Sequence, residues 1–312
     1  MLRRRLIRTG ALAAPSLLLG RSRAFAASRT LKIGYQKAAI ALVVLKGKGL
    51  LERKLRPLGF DVTWNEFPSG PPLLEALNAG AINLGFTGET PPIFAQAGGT
   101  PIVYLANAPA SPHTEAILVR PDSKIEKVAD LRGRKVAFNK GSNVHWFILE
   151  ALRGAGLRYA DIQPIYLAPA DAQPAFFSGA VDAWVIWDPF YAAAQAAGAR
   201  LLVDATGLVP NYQFYLGRRD FVAEGAAALD ATIAALAAVE AYIPANKAKV
   251  AEEVAPLLGI TPAIVSVQLN RDTYGITRTT KAVLAQQQKI ADAFYALRLI
   301  PRPIAVAEDA WS

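Results

Sequence analysis

The chain of 312 residues has no cysteine, one methionine and two histidines, His113 and His145. The missing thiols exclude disulfides, thiolate zinc sites, iron–sulfur clusters, cysteine nucleophiles and lipidation of an N-terminal cysteine. Two histidines are too few for a histidine-rich metal centre. The phosphate-cradling pattern G-x-x-x-x-G-K-[ST] is absent, so the chain does not itself hydrolyse ATP. No stretch reaches about 20 uninterrupted apolar residues, the length a membrane-spanning helix needs. What is abundant is apolar surface, at 53% of residues. That fraction excludes a disordered chain and, at this length, predicts one large or two ordinary domains.

The net charge of +9 raises the possibility of a nucleic-acid partner, but its location argues otherwise. Residues 1–26 carry Arg3, Arg4, Arg5, Arg8, Arg21 and Arg23 and no acid. The first four arginines precede the short apolar run Ala11-Leu12-Ala13-Ala14-Pro15-Ser16-Leu17-Leu18-Leu19, and Ala24-Phe25-Ala26 supplies a small-x-small cleavage site. This is the layout of a secretory signal peptide. Arg3-Arg4-Arg5-Leu6-Ile7-Arg8 fits the twin-arginine pattern, with an ordinary Sec signal as the alternative. Loss of the segment takes the charge from +9 to +3 over the remaining 286 residues. The expected mature protein is therefore soluble, located outside the cytoplasm, and not a nucleic-acid binder.

Strand-like and helix-like runs alternate along the rest of the chain. Strands are predicted at Leu31–Gln36, Phe60–Trp64 and Ala81–Phe86, with helices near 40–55 and at Leu73–Asn78. This order predicts an α/β fold with mainly parallel sheets flanked by helices. The pattern then recurs. Lys32-Ile33-Gly34-Tyr35-Gln36-Lys37 is echoed by Lys135-Val136-Ala137-Phe138-Asn139-Lys140. Gly80-Ala81-Ile82-Asn83 through Ala95-Gln96-Ala97 is echoed 99 residues later by Gly179-Ala180-Val181-Asp182 through Ala194-Gln195-Ala196, which sets Glu89 on Asp188. Two similar lobes follow. The connector Asn107–Pro112 precedes a strand starting at Glu115, and a second connector at Gly207–Asn211 precedes one starting at Gln213. Lobe 1 is thus expected to comprise 27–110 plus 213–312, and lobe 2 to comprise 111–212, with a ligand cleft between them. From about 222 the chain reads as helical; Val283, Ile290, Ala291, Phe294 and Leu297 keep helical spacing until Pro301 and Pro303.

Ligands of open α/β sheets bind beyond the carboxyl ends of the strands. The candidates there are Gln36, Thr87-Gly88-Glu89, Gly141-Ser142-Asn143 with His145, and Trp187-Asp188. Hydroxyls, backbone N–H groups and helix N-termini from both lobes can hold an anion without a matching lysine or arginine. Each candidate also has an ordinary structural reading. Ser142 reads equally as a helix N-cap, Thr87-Gly88 as a turn, His145 as a solvated helix residue, and Trp187 as core packing. Glu89 and Asp188 would repel an anion if charged. They are read as orienting other donors, as binding a ligand amine, as contacting water, or as a catalytic acid pair.

Several segments together resemble the periplasmic aliphatic-sulfonate-binding proteins of ABC importers. They are Gly34-Tyr35-Gln36-Lys37, Glu66-Phe67-Pro68-Ser69-Gly70-Pro71, Leu74-Glu75-Ala76-Leu77-Asn78, and Thr87-Gly88-Glu89 with Pro91-Pro92-Ile93-Phe94-Ala95-Gln96-Ala97. The most specific are Asn139-Lys140-Gly141-Ser142-Asn143-Val144-His145 and Val181-Asp182-Ala183-Trp184-Val185-Ile186-Trp187-Asp188-Pro189. The resemblance implies a two-lobed type II periplasmic binding protein fold and a binding protein without catalysis or cofactor. It also implies a monomer that captures an alkanesulfonate and delivers it to a membrane permease with a cytoplasmic ATPase. It places Gln36, Thr87, Gly88, Ser142, Asn143, His145, Trp187 and Asp188 at the site, with Trp187, Tyr35 or Trp146 available to cover an apolar tail. Another small anion such as taurine, nitrate or a sulfate ester is the alternative ligand. A lyase on the same fold, or the sensing domain of a DNA-binding regulator, is the rival class; an arginine-rich export signal stands where the regulator would need a helix-turn-helix.

Overall fold

The computed structural model describes residues 29–311, so the expected export signal lies outside the described residues. The chain first lays down β1 (Arg29–Tyr35), α1 (Ile40–Gly47), α2 (Leu50–Leu55), β2 (Phe60–Glu66), α3 (Gly70–Asn78), β3 (Leu84–Gly88), α4 (Pro91–Ala97) and β4 (Ile102–Asn107). It crosses over to build β5 (Glu115–Val119), β6 (Lys135–Phe138), α5 (Asn143–Gly154), β7 (Gln163–Tyr166), α6 (Pro169–Phe177), β8 (Ala183–Trp187), α7 (Phe190–Ala196) and β9 (Arg200–Asp204). It then returns as β10 (Gln213–Arg218), α8 (Arg219–Tyr242), α9 (Lys247–Leu258), α10 (Pro262–Arg271), β11 (Thr277–Arg278) and α11 (Lys281–Ala296).

The strands form two sheets, ordered β11-β4-β10-β3-β1-β2 and β7-β6-β8-β5-β9. In the first, β1 runs parallel to β2 and β3, while β10 runs antiparallel between β3 and β4. In the second, β6 runs parallel to β7 and β8, while β5 runs antiparallel between β8 and β9. Apart from the added edge strand β11, the order is therefore the same in both, and the antiparallel strand inside each sheet is the one laid down just after a crossing. The duplication extends to single hydrogen bonds. Lys32 N donates to Asn83 Oδ1 and Asn83 N to Lys32 O at 2.9 and 2.7 Å; Lys135 N and Asp182 Oδ2, and Asp182 N and Lys135 O, repeat this at 2.8 Å each. Arg218, the last residue of β10, reaches the Leu77 carbonyl at the end of α3, and Arg120, just after β5, reaches the Phe176 carbonyl at the end of α6.

Each sheet is covered on both faces. In the first, Leu31, Ile33 and Tyr35 alternate onto the side packed by α1, α2, α8, α9 and α10, and α3, α4 and α11 cover the other. In the second, Ile117, Val119, Ala183 and Val185 face α5, whereas Ala116, Leu118, Trp184 and Ile186 face α6 and α7. This is the period-two alternation of a sheet buried on both sides. Helix α8 with its short continuation to Ala245 is long and apolar enough to cross a membrane by composition. Its stripe of Leu229, Thr232, Leu236 and Val239 is nonetheless buried, with Leu229, Leu236 and Val239 in the core shared with α1 and α2.

Two sequence expectations shift. The helix expected over 40–55 is broken at Lys48-Gly49. The third strand begins at Leu84 rather than Ala81, because Asn83 spends its backbone and side chain on Lys32. Thr87 and Gly88 consequently end the strand instead of following it.

Candidate functional site

The carboxyl ends of β1, β3, β6 and β8 face one another across the two lobes. Between them lies a cleft containing about 820 Å³ of space free of atoms, part of it open to solvent. Gln36, Thr87 and Gly88 line it from the first sheet, and Ser142, Asn143, Trp187 and Asp188 from the second. No lysine or arginine is among the described residues that line it.

The lobes touch at Asn143. Its Oδ1 accepts from Thr90 N at 3.3 Å, and its Nδ2 donates to Asn211 Oδ1 at 2.6 Å. Gly88 makes this approach possible: a Cβ there would lie 1.9–2.1 Å from the Asn143 amide atoms. Ser142 occupies the N-cap position of α5, but its hydroxyl donates to Asn139 O at 2.7 Å instead of capping the first turn. Of the first-turn N–H groups, that of His145 donates to Ser142 O at 3.0 Å, and those of Asn143 and Val144, which have no acceptor within the helix, are left to whatever sits in front of it. Thr87 Oγ1 is buried and has no protein partner. Gln36 Nε2 donates to Phe86 O at 3.1 Å, which fixes that side chain against β3.

His145 does not reach the cleft. It is fully buried among Phe94, Phe138, Tyr159, Tyr166 and Phe294, with ring centroids 5.2–6.3 Å away. Its Nδ1 accepts from Gly141 N at 3.2 Å, so the proton of the neutral ring sits on Nε2. Burial, and then the charge of Lys140, hold its pKa down at about 3. Its part is to fix the loop ahead of α5, where Gly141 takes a φ of +76°. The expectation that sets His145 at the site as a first-turn residue of α5 is corrected: the structure places it off the cleft, behind the loop that precedes that helix.

The carboxyl groups are buried in different company. Asp188 accepts from Arg271 Nη1 at 3.0 and 3.2 Å and from Ala192 N at 2.9 Å, and Arg271 also stacks 3.6 Å over the Tyr191 ring and bonds Gln195. Burial raises the Asp188 pKa to about 6 against the pull of Arg271. Since Arg271 ends α10 of the first lobe, this ion pair spans the cleft. Glu89 lies behind the cleft, not on it. It accepts from Tyr212 N at 3.0 Å, and burial pushes its pKa up to about 8. Glu115, Glu240 and Asp272 line the cleft as well. Glu240 is pushed up to about 8 and Asp272 to about 6, in both cases by burial. Among the described residues no group of three or more His, Cys, Asp or Glu could hold a metal ion.

Comparison with known proteins identifies the family and the fold. Residues 57–246 match the family described as NMT1/THI5 like. A protein of Escherichia coli (strain K12) named as an aliphatic sulfonates-binding protein is 44% identical over 283 residues, covering 90% of this chain and 88% of that one. The chain belongs to the aliphatic sulfonate-binding protein family. Its fold is that of the alkanesulfonate-binding protein SsuA from Xanthomonas axonopodis pv. citri bound to MOPS, with a TM-score of 0.88 at 40% identity, covering 92% of this chain and 99% of that one. The periplasmic aliphatic sulphonate binding protein SsuA from Escherichia coli gives 0.84 at 42% identity, covering 91% and 92%. The two-lobed α/β architecture is thereby that of the family.

Within this family frame, seven of the nine site residues expected from the sequence line the cleft, and Glu89 and His145 do not. Of the aromatic residues offered for an apolar tail, only Trp187 is on the cleft. Tyr35 is engaged by Lys46 and Glu66, and Trp146 packs against Phe294 at 6.0 Å. The walls are instead Phe86 and Tyr215, edge to face at 5.2 Å, together with Tyr274. Sequence reasoning missed these, as well as Glu115, Glu240, Asp272 and Arg271. Glu115 carried a signal, being the one charge in the otherwise apolar strand Glu115–Val119. The residues of α8 and α10 carried none, for their helices contain no motif.

Proposed function

We propose that the protein captures an aliphatic sulfonate outside the cytoplasm and delivers it to a membrane permease driven by a cytoplasmic ATPase. It is a binding protein and not an enzyme, as its relatives are. One observation carries the reading of the site: an inter-lobe cleft free of lysine and arginine, faced by the Thr87 hydroxyl and by the uncapped N-terminus of α5. A sulfonate is anionic at any physiological pH, carries three acceptor oxygens, and has an apolar tail. Fixed O–H and N–H donors suit the oxygens, and Trp187, Phe86 and Tyr215 suit the tail. Closure of the lobes over the ligand excludes water and strengthens each of these bonds.

The binding set is Gln36, Thr87, Gly88, Ser142, Asn143 and Trp187, with His145, Glu89 and Asp188 supporting it from the sides. Lobe 1 comprises 27–110 with 213–312 and lobe 2 comprises 111–212, a division supported by the two strand orders. Residues 1–26 serve as a cleaved export signal, and the mature protein acts as a monomer. Titration calorimetry with ethanesulfonate and butanesulfonate, in buffers that are not themselves sulfonates, tests the ligand. Thr87→Ala and Ser142→Ala each weaken binding by about 1–3 kcal/mol if their groups face the anion, and unchanged affinity returns them to a structural role. A sulfonate with an amine on its tail is the second reading, favoured by the half-buried acids Glu240 and Asp272 on the cleft wall. Tighter binding of taurine than of ethanesulfonate would select it.

A further inference from the structure

Glu115 is the most unusual group in the cleft. It heads β5 directly opposite Trp187 of β8, so the two side chains project from the same face of the sheet, and both line the cavity. It is 1% exposed, and neither carboxyl oxygen has a well-formed hydrogen bond to the protein. No cation compensates it, because the guanidinium of Arg271 is committed to Asp188 and Gln195. Its buried neighbour in charge is another acid, Glu89.

A bare carboxylate in this position would be both desolvated and repelled, and two such groups side by side do not both ionise. Burial first and the Glu89 charge second push the Glu115 pKa well above the carboxylate range, with only the Asn143 amide drawing it back. A neutral carboxyl group has a different requirement: its O–H needs an acceptor. Asn143 Oδ1 already accepts from Thr90 N and no protein group is bonded to either Glu115 oxygen, so a ligand oxygen entering the cleft can serve as that acceptor. We propose that Glu115 binds the ligand as a carboxylic acid, donating its O–H to a sulfonate oxygen, and is a specificity-determining residue of this cleft. It turns an apparent obstacle to anion binding into one of the donors. The inference rests on the sulfonate reading above and deepens it.

The group responds to its charged surroundings from every side. Glu89 faces it from the end of β3, and Asp188 with its partner Arg271 lies beyond Trp187. On the β9 side, Asp204 is paired with the exposed His113 at 3.0 Å. Glu240 and Asp272 line the far part of the same cavity. These acids also titrate, so the test must isolate Glu115.

The experiment is titration calorimetry of the full mature chain with ethanesulfonate and with taurine from pH 6 to pH 9, in non-sulfonate buffers of differing ionisation enthalpy. As pH rises, ionisation of Glu115 puts a negative charge against the sulfonate. Wild-type affinity for ethanesulfonate should therefore fall as pH rises, at up to a factor of ten per pH unit once the group has titrated, with binding taking up a proton from solvent wherever the affinity falls. Glu115→Gln keeps an N–H donor and cannot ionise. It should bind ethanesulfonate within about threefold of wild type at pH 6, stay level to pH 9 and take up no proton there. Glu240→Gln should retain the slope. A level wild-type profile is read without any variant, whereas a sloping one is assigned to Glu115 only by the two variants, since Glu89 and Glu240 titrate in the same range. A level wild-type profile overturns it, as does a Glu115→Gln profile that falls like wild type. A Glu115→Gln variant that loses taurine but keeps ethanesulfonate overturns it too, since that is the behaviour of a carboxylate holding an ammonium. If the wild type binds no alkanesulfonate at any pH, the ligand reading fails and this inference fails with it.

Discussion

The Arg271–Asp188 ion pair joins the two lobes, so removing it should change the free energy of closure and not merely of folding. Arg271→Met leaves the Asp188 carboxylate, whose side chain is 1% exposed, without its cation. Breaking a buried pair in this way costs about 3–5 kcal/mol. The cost should fall near the low end, because Asp188 already has its pKa raised to about 6 and can escape by taking a proton. If the pair exists only in the closed form, about 3 kcal/mol lowers the closed-to-open ratio by roughly a hundredfold, at 1.4 kcal/mol per factor of ten. Apparent affinity for the ligand should fall by up to that factor. The assay is a double-mutant cycle by calorimetry at pH 7, using Arg271→Met, Asp188→Asn and the double variant. Asparagine can still accept from Ala192 N, so the helix start of α7 survives the second change. A coupling of at least about 1 kcal/mol is expected, and additivity within about 0.5 kcal/mol would refute the reasoning.

Three further predictions concern the cleft and its surroundings. Gly88→Ala forces a methyl group into the Asn143 amide; overpacking of this kind costs about 1–3 kcal/mol, and because Asn143 bridges the lobes the loss should appear as weaker ligand binding with circular dichroism unchanged. His145→Phe keeps the aromatic packing but removes the acceptor for Gly141 N, so the melting temperature should drop by the equivalent of about 1–2 kcal/mol, with sulfonate affinity falling as the loop loosens. Glu89 and Glu240 at about 8, and Asp188 and Asp272 at about 6, have folded pKa values above their unfolded ones. Their contribution to stability is complete below about pH 4 and is lost as pH rises through those values, so calorimetric melting of the ligand-free protein should occur at lower temperature at pH 9 than at pH 5.

Much of this was legible in the sequence for a physical reason. The echo of Asn83 by Asp182 reflects the same task in each lobe, in which a side-chain oxygen takes the backbone N–H of the neighbouring parallel strand, Lys32 in β1 and Lys135 in β6. A task repeated at the same place in both sheets leaves the same trace in both halves of the sequence. Glycines and prolines around Thr87 and Trp187 likewise mark strand ends, and strand ends are where the ligand must sit. His145 was misplaced because the third residue of a helix can face either its ligand or its core, and only the packed rings of Phe138 and Phe294 decide between them. Arg271, Glu240 and Asp272 were invisible because their positions depend on how α8 and α10 settle against distant strands. The boundary of β3 was missed because Ile82 is fully buried yet outside the ladder, so apolar character there signals packing and not pairing.

The two crossings between the lobes are bonded to each other. Ala108 N donates to Gln213 O at 2.9 Å, Ser111 N to Asn211 O at 3.3 Å, and Asn211 Nδ2 to Ser111 O at 3.1 Å and to Thr114 Oγ1 at 2.9 Å. Two struts tied by such rungs behave as a flat strip, which bends readily about one axis and resists shear and torsion. The lobes would then have a single mechanical degree of freedom, and every closing stroke would bring Asn143 back against Gly88 in the same register. A ligand that is too bulky would leave that stroke unfinished by a definite angle, so the separation of the two outer faces would report to the permease what the cleft contains.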